Sequence, residues 1–211
     1  REILGVTAEG NFHDHSDPEA LAGQNVLHFK KPAGTLSDAE KSAVAAIFTK
    51  LAVVRSKRIP PATDDKILAS WNGMMIGALS RAGLVLGEEG YLAAARKAHG
   101  FVKEKLWDAE KGKLYHRWRD GERDQSLQAE SYLQFLSGTR KLYEATLDPS
   151  YLGFAIQLAE GAQKHFYDEK NGGFFQGEER EDLVLRLKGQ FDGAIPTESS
   201  VAVREFVILA E

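Results

Sequence analysis

The chain repeats itself at an interval of 60 residues, and this constrains its fold more than any other feature of the sequence. Tyr91-Leu92 and Tyr151-Leu152 open two matching helical patterns. Leu92, Ala95, Val102 and Leu106 form the apolar stripe of the first, and Leu152, Ala155, Ala162 and Phe166 that of the second. Trp107-Asp108 and Tyr167-Asp168 end the two patterns, with Gly112 and Gly172 four residues beyond each aspartate. Just upstream, Ile67, Met75, Ile76 and Ala82 match Leu127, Phe135, Leu136 and Leu142. Each unit therefore reads as helix, short turn, helix, then a loop with hairpin alternation. In one loop Leu114 to Trp118 runs into an Asp120-Gly121 turn, and in the other Leu183, Leu185 and Leu187 alternate. A fixed period of this size marks a helical repeat, which an open solenoid or a closed α/α toroid would satisfy. Long hairpin loops suit a toroid, whose inner helices line a cavity and whose loops build its rim. Six units would need roughly 360 residues, so these 211 hold about three and a half.

Around the repeat, the first 36 residues carry Gly, His, Asp and Pro without a sustained period and read as a loop-rich lead-in. The helix pairs are expected over 37–211, as one fragment of a single domain. Ser37 and Glu40 form a capping-box pair, Val44, Ile47, Phe48 and Leu51 follow at helical spacing, and Pro60-Pro61 ends that element. The charged fraction of 27% against 43% hydrophobic excludes a disordered tail, and a net charge of −4 implies no general affinity for nucleic acid or an anionic membrane. The absence of cysteine excludes disulfides, thiolate catalysis and Cys-type zinc sites within the chain. No apolar run approaches the ~18 residues that would span a bilayer. The chain opens at Arg1 with no apolar leader and closes inside the amphipathic run Val201–Leu209. It is therefore expected to be a piece of a longer, cytoplasmic protein, self-associating through a truncated apolar edge.

The segment 64–76, DDKILASWNGMMI, resembles the thioredoxin-domain-containing, spermatogenesis-associated and YyaL-like family, where the pattern is close to DDKILTSWNGLMI. The resemblance runs the full length: GVTAEGNF and NVLH near the start, LYHRWRDGE at 114–122, LYEATLD at 142–148, GGFF at 172–175 and DGAIP at 192–196. The 60-residue repeat itself predicts a mainly α fold with short β-hairpins near 113–122 and 174–188; the resemblance implies part of an (α/α)6 toroid of the six-hairpin glycosidase and epimerase type. It also implies a thioredoxin-like domain outside this chain. The family brings no established reaction. Where relatives have Leu-Asp-Asp-Tyr-Ala this chain has Ala129-Glu130-Ser131-Tyr132-Leu133, and where they have Pro-Ser-Gly-Asn-Ser it has Pro196-Thr197-Glu198-Ser199-Ser200.

A toroid cavity is fed by inner-helix ends, so the residues there are the candidates: Asp64, Asp65 and Lys66 open one helix, Glu130 and Tyr132 lie near the start of the next, and Asp192 and Glu198 flank the start of the third. Asp65, Glu130 and Asp192 are the expected catalytic carboxylates, one acting as acid and one as base on a carbohydrate or similar polyol. Asp64, Lys66, Trp71, Asn72 and Tyr132 are the expected substrate-binding residues, Trp71 and Tyr132 as stacking surfaces. The plainer reading makes Asp64 and Asp65 helix caps, Trp71 core, and Asn72 a structural hydrogen bonder beside Gly73, which permits close backbone approach. His99 falls on an apolar stripe and reads as a satisfied packing histidine. His13-Asp14-His15 has metal-ligand types but no distant third ligand, so neither metal nor cofactor is expected. His116 and Arg117 lie on a rim strand whose alternation points them to opposite faces, so at most one reaches the cavity, and surface exposure is the commoner outcome. The competing class is a non-catalytic repeat scaffold that supports the thioredoxin-like domain.

Overall fold

A computed structural model describes all residues 1–211, in two compact units, Arg1–Thr63 and Asp64–Glu211. Helix accounts for 52% of the residues, and no helix is long and apolar enough to cross a membrane.

In the first unit, a loop is held by asparagine side chains that act as extra backbone: Asn11 Nδ2 donates to Gly5 O at 2.8 Å, and Val26 N donates to Asn11 Oδ1 at 2.8 Å. Helix α1 (Asp38–Arg55) starts at Ser37, whose capping box with Glu40 forms as the sequence predicts. Lys31 adds an ion pair to Glu40 at 2.9 Å, and these hydrogen bonds hold the Glu40 carboxyl down to about 2.

The second unit is the repeat. Helices α2 (Ala69–Leu86) and α4 (Ala129–Thr146) are 18 residues each and start 60 apart. So do their partners α3 (Glu89–Leu106) and α5 (Pro149–Phe166). Two-residue links make each pair an antiparallel hairpin. A third inner-type helix, α6 (Glu198–Ala210), packs on α4. The core lies between the pairs and includes Ile76, Val102, Leu106, Phe135, Leu136, Leu158 and Phe166, all wholly buried. α4 is its centre, with twelve of its residues buried.

The loop after each pair closes the repeat in the same way. In the first, β2 (Trp107–Asp108) pairs antiparallel with β3 (Lys113–Leu114). β1 (Ile67–Leu68), β4 (Arg117–Arg119) and β5 (Glu122–Arg123) form a second sheet around the Asp120-Gly121 turn, where φ is 53° and 83°. In the second loop these ladders shrink to single bridges, Tyr167 with Phe174 and Gln128 with Gly177. The hairpin expected near 174–188 is thus not a regular one. One backbone bond, Gln176 N to Leu187 O at 2.8 Å, joins its arms, beside the Arg186 side chain on Gly177 O, and the alternating Leu183, Leu185 and Leu187 are exposed rather than paired into a buried face. A second device recurs. Asp108 takes Arg123 at 2.9 Å and Asp168 takes Lys188 at 2.6 Å, while those cations lie over the rings of Tyr115 and Phe175. The Asp168 carboxyl is held far below the ordinary range by Lys188 and Asn171.

Candidate functional site

A cavity of about 440 Å³ opens at the N-terminal ends of α4 and α6. Glu130, in the first turn of α4, and Glu198, the first residue of α6, line it together with Gln128, Gln176 and Glu178. Thr197 caps α6 by accepting from Ser200 N, and that cap places Glu198 at the helix start. Burial raises the Glu198 carboxyl above its ordinary value, and the negative charge of Glu130 raises it further. Nearby cations are already committed. Arg180 forms a fork on Asp182 at 3.0 and 2.7 Å, and Arg186 donates to the carbonyls of Gly177 and His165.

Behind Glu130, Ser131 is wholly buried, and its Oγ lies 2.9 Å from His116 Nδ1 in a hydrogen bond. Burial lowers the His116 pKa, against the opposing pull of Asp124 and Glu130. Burial thus disfavours the charged form of His116 beside an acidic cavity. Of the two rim-strand candidates it is the half-buried one, while Arg117 is exposed.

The expected site residues do not converge as a set. Asp64 is exposed and pairs with Lys66 at 3.1 Å. Asp65 is exposed and pairs with Arg119 of β4 at 2.8 Å. Neither caps α2, whose N-cap residue Leu68 makes no side-chain bond. Asp192 accepts from Thr197 N at 2.8 Å and Ser200 Oγ at 2.9 Å, so it serves the start of α6 rather than a shared cavity. These bonds hold its carboxyl below the ordinary value. Asn72 donates to Leu68 O at 2.9 Å, a bond within its own helix start. Trp71 is 61% exposed, so it is not core. Tyr132 is a correction to the stacking role: it is wholly buried, its ring packs edge-on to Phe166, and its hydroxyl accepts from Leu114 N at 2.8 Å. The equivalent amide of the next repeat, Phe174 N, donates to Ser199 Oγ at 3.1 Å instead.

Of the three expected catalytic carboxylates, Glu130 alone lines this cavity, and Glu198 joins it. Repeat geometry explains the outcome. Asp65 precedes α2 by four residues, Glu130 lies inside α4, and Asp192 precedes α6 by six, so the three are not equivalent points of the repeat. Glu198 and Asp192 both flank the start of the third inner helix in the sequence, and the Thr197 cap directly before Glu198 decides between them. His99 is buried among Phe135, Tyr151 and Phe154 as a packing histidine, but its Nε2 has no partner, so it is not satisfied. In the lead-in, Asp14 is taken up by Ser16, and no three His, Asp or Glu side chains converge as a metal site.

No family model matches the chain. Spermatogenesis-associated protein 20 of Mus musculus is 32% identical over 97% of this chain, and its Homo sapiens counterpart is 30% identical over the same share. The chain spans 28% of the length of these relatives. Among solved structures, cellobiose 2-epimerase from Spirochaeta thermophila superposes with a TM-score of 0.54 at 16% identity, over 84% of this chain and 49% of that one. An inactive variant of an α-1,6-mannanase from Salegentibacter gives 0.54 at 22% identity, over 70% of this chain and 41% of that one. A family 76 glycoside hydrolase of Bacteroides thetaiotaomicron gives 0.54 at 19%, over 71% and 40%. The chain is thus homologous over nearly its whole length to a segment of spermatogenesis-associated protein 20, and its helical unit has the (α/α)6 toroid fold of sugar epimerases and glycoside hydrolases, of which it carries a part.

Proposed function

We propose that the cavity between α4 and α6 binds a carbohydrate or similar polyol, with Glu130 and Glu198 as a carboxylate pair across it. The observation that carries this reading is geometric: carboxylates from the starts of two inner helices, Glu130 of α4 and Glu198 of α6, line one cavity. Burial, with the charge of Glu130 beside it, pushes Glu198 toward its protonated form. One acid and one base is the division of labour that sugar chemistry requires. Gln128 and Gln176 supply amides suited to hydroxyl groups. The fold likeness adds support, since its neighbours include an epimerase of cellobiose and a mannanase whose structure holds an α-1,6-linked mannose tetramer. Asp65 and Asp192 have no part in this reading, because Arg119 and the α6 start engage them.

The competing reading is a non-catalytic scaffold for a thioredoxin-like domain elsewhere in the longer protein. One observation favours it: no aromatic side chain lines the cavity, so a sugar ring finds no stacking face there. A thermal-shift titration with cellobiose and α-1,6-linked mannose oligomers separates the two. A ligand that binds only the folded state raises the melting temperature by mass action. The carbohydrate reading predicts a saturable rise that Glu130→Gln and Glu198→Gln abolish. The absence of any rise at millimolar sugar would leave the scaffold. We propose in addition that the exposed Val203 and Val207 of α6 form an edge through which the chain self-associates.

A further inference from the structure

A second cavity, of about 500 Å³, lies at the other end of the inner helices, along the C-terminal halves of α2, α4 and α6. Its floor is a buried ionic cluster. Glu205 is wholly buried and accepts from Arg140 Nε, from Ser137 Oγ at 2.8 Å and from Arg204 Nη2 at 2.8 Å. Arg140, itself 6% exposed, spans from Glu205 to Glu144. These contacts fix the guanidiniums in place and leave the region positive. Arg81, Arg140, Lys141 and Arg204 face two carboxylates, Glu144 and Glu205, an excess of two charges.

Lys141 is the group that this cluster does not explain. Its stem lies across Gly77, where an added Cβ would come within 2.9 Å of its Cδ, so the glycine clears a track for the lysine. The side chain is half-buried, yet its ammonium makes no ion pair or hydrogen bond. Burial lowers its pKa, and Arg204 lowers it further. Withdrawing a cation from water beside two guanidiniums is unfavourable unless an anion returns the lost solvation. Arg81 lines the same cavity, also without a carboxylate partner. A role limited to complementing helix C-termini would be served as well by a fully exposed lysine. The remaining wall is apolar, with Met74, Leu84 and Ile208.

We propose that this cavity binds a small organic phosphate monoester, with Lys141 and Arg81 on the phosphate oxygens and Met74, Leu84 and Ile208 against the carbon part. The volume suits a small molecule, since ligand pockets run from about 300 to 1,000 Å³. The probe is phenyl phosphate, titrated into the whole chain at constant ionic strength and read by thermal shift and calorimetry, with inorganic phosphate and chloride alongside. The expected result is a saturable rise in melting temperature, larger for phenyl phosphate than for inorganic phosphate and absent for chloride. Lys141→Met and Arg81→Gln should each weaken the affinity about tenfold, the size expected for one charged hydrogen bond. Arg81 is exposed, so its variant keeps the test valid if Lys141→Met fails to fold. An equal rise with chloride, no rise at all, or an unchanged affinity in Arg81→Gln would overturn the proposal.

Discussion

Leu147 and Gly87 close the same turn of successive repeats, and only one of them suits it. Both end an inner helix in the left-handed region, with φ of 55° at Leu147 and 69° at Gly87. A side chain there crowds its own backbone, whereas glycine adopts the conformation freely. Leu147 is 74% exposed, so removing its side chain costs little packing. Leu147→Gly should raise stability by about 0.5–1 kcal/mol in chemical denaturation, since relief of roughly 1–2 kcal/mol of strain exceeds the added unfolded-chain entropy. A second residue-scale prediction concerns His99. Burial among aromatic rings, with a smaller push from Lys103, brings its pKa down to about 4 from an ordinary 6.5. In that window the unfolded chain takes up a proton that the folded one refuses, so stability falls as pH drops from 6.5 toward 4. In His99→Phe the slope of melting temperature against pH should flatten over this range. An unchanged slope would place the sensitivity elsewhere. Side-chain roles were the least legible in the sequence. Tyr132 and Trp71 have helical spacings that fit either core or cavity, and only the third dimension buries the first and exposes the second.

At the scale of elements, the contact between α2 and α4 depends on two glycines. A Cβ on Gly138 would lie 2.2 Å from Gly73 O, and one on Gly73 would lie 2.4 Å from Gln134 O. Both obstacles are backbone, which cannot rotate away, so the helices would have to part. Gly138→Ala and Gly73→Ala should each cost about 3 kcal/mol, the upper end of overpacking losses, and lower the urea midpoint without changing m. Gly87→Ala would be strained for a different reason, its positive φ. The helices themselves were legible because the apolar stripes repeat at 60 residues, and Gly73 was legible as a close-approach glycine. The second loop was not. Its alternating leucines look like a strand, but Arg186 and Lys188 pin that loop through carbonyls and Asp168 instead of a ladder. Lys188→Met should therefore loosen it and speed proteolytic cleavage within 178–196.

At the scale of the molecule, two interiors compete for polar groups along the same inner helices. The cavity near Glu130 and Glu198 is acidic, and the one near Arg81 and Lys141 is basic. A fully dry core would not retain either, because unpaired charges are expensive away from water. The association proposed through the α6 edge has its own readout. Light scattering should give a mass above 23.3 kDa, and Val203→Glu with Val207→Glu should return it to that of one chain. The carboxylate pair was half legible. Glu130 and Glu198 both stood at inner-helix starts in the sequence, but the choice of Asp192 over Glu198 as the third carboxylate was reversed once the Thr197 cap fixed where α6 begins. The most direct measurement is a crystal structure of the chain soaked with an α-1,6-linked mannose oligomer. A sugar ring is expected between α4 and α6, with hydroxyls within hydrogen-bond distance of Glu130 and Glu198. Density elsewhere, or an empty cavity with the two carboxylates turned away from each other into solvent, would contradict it.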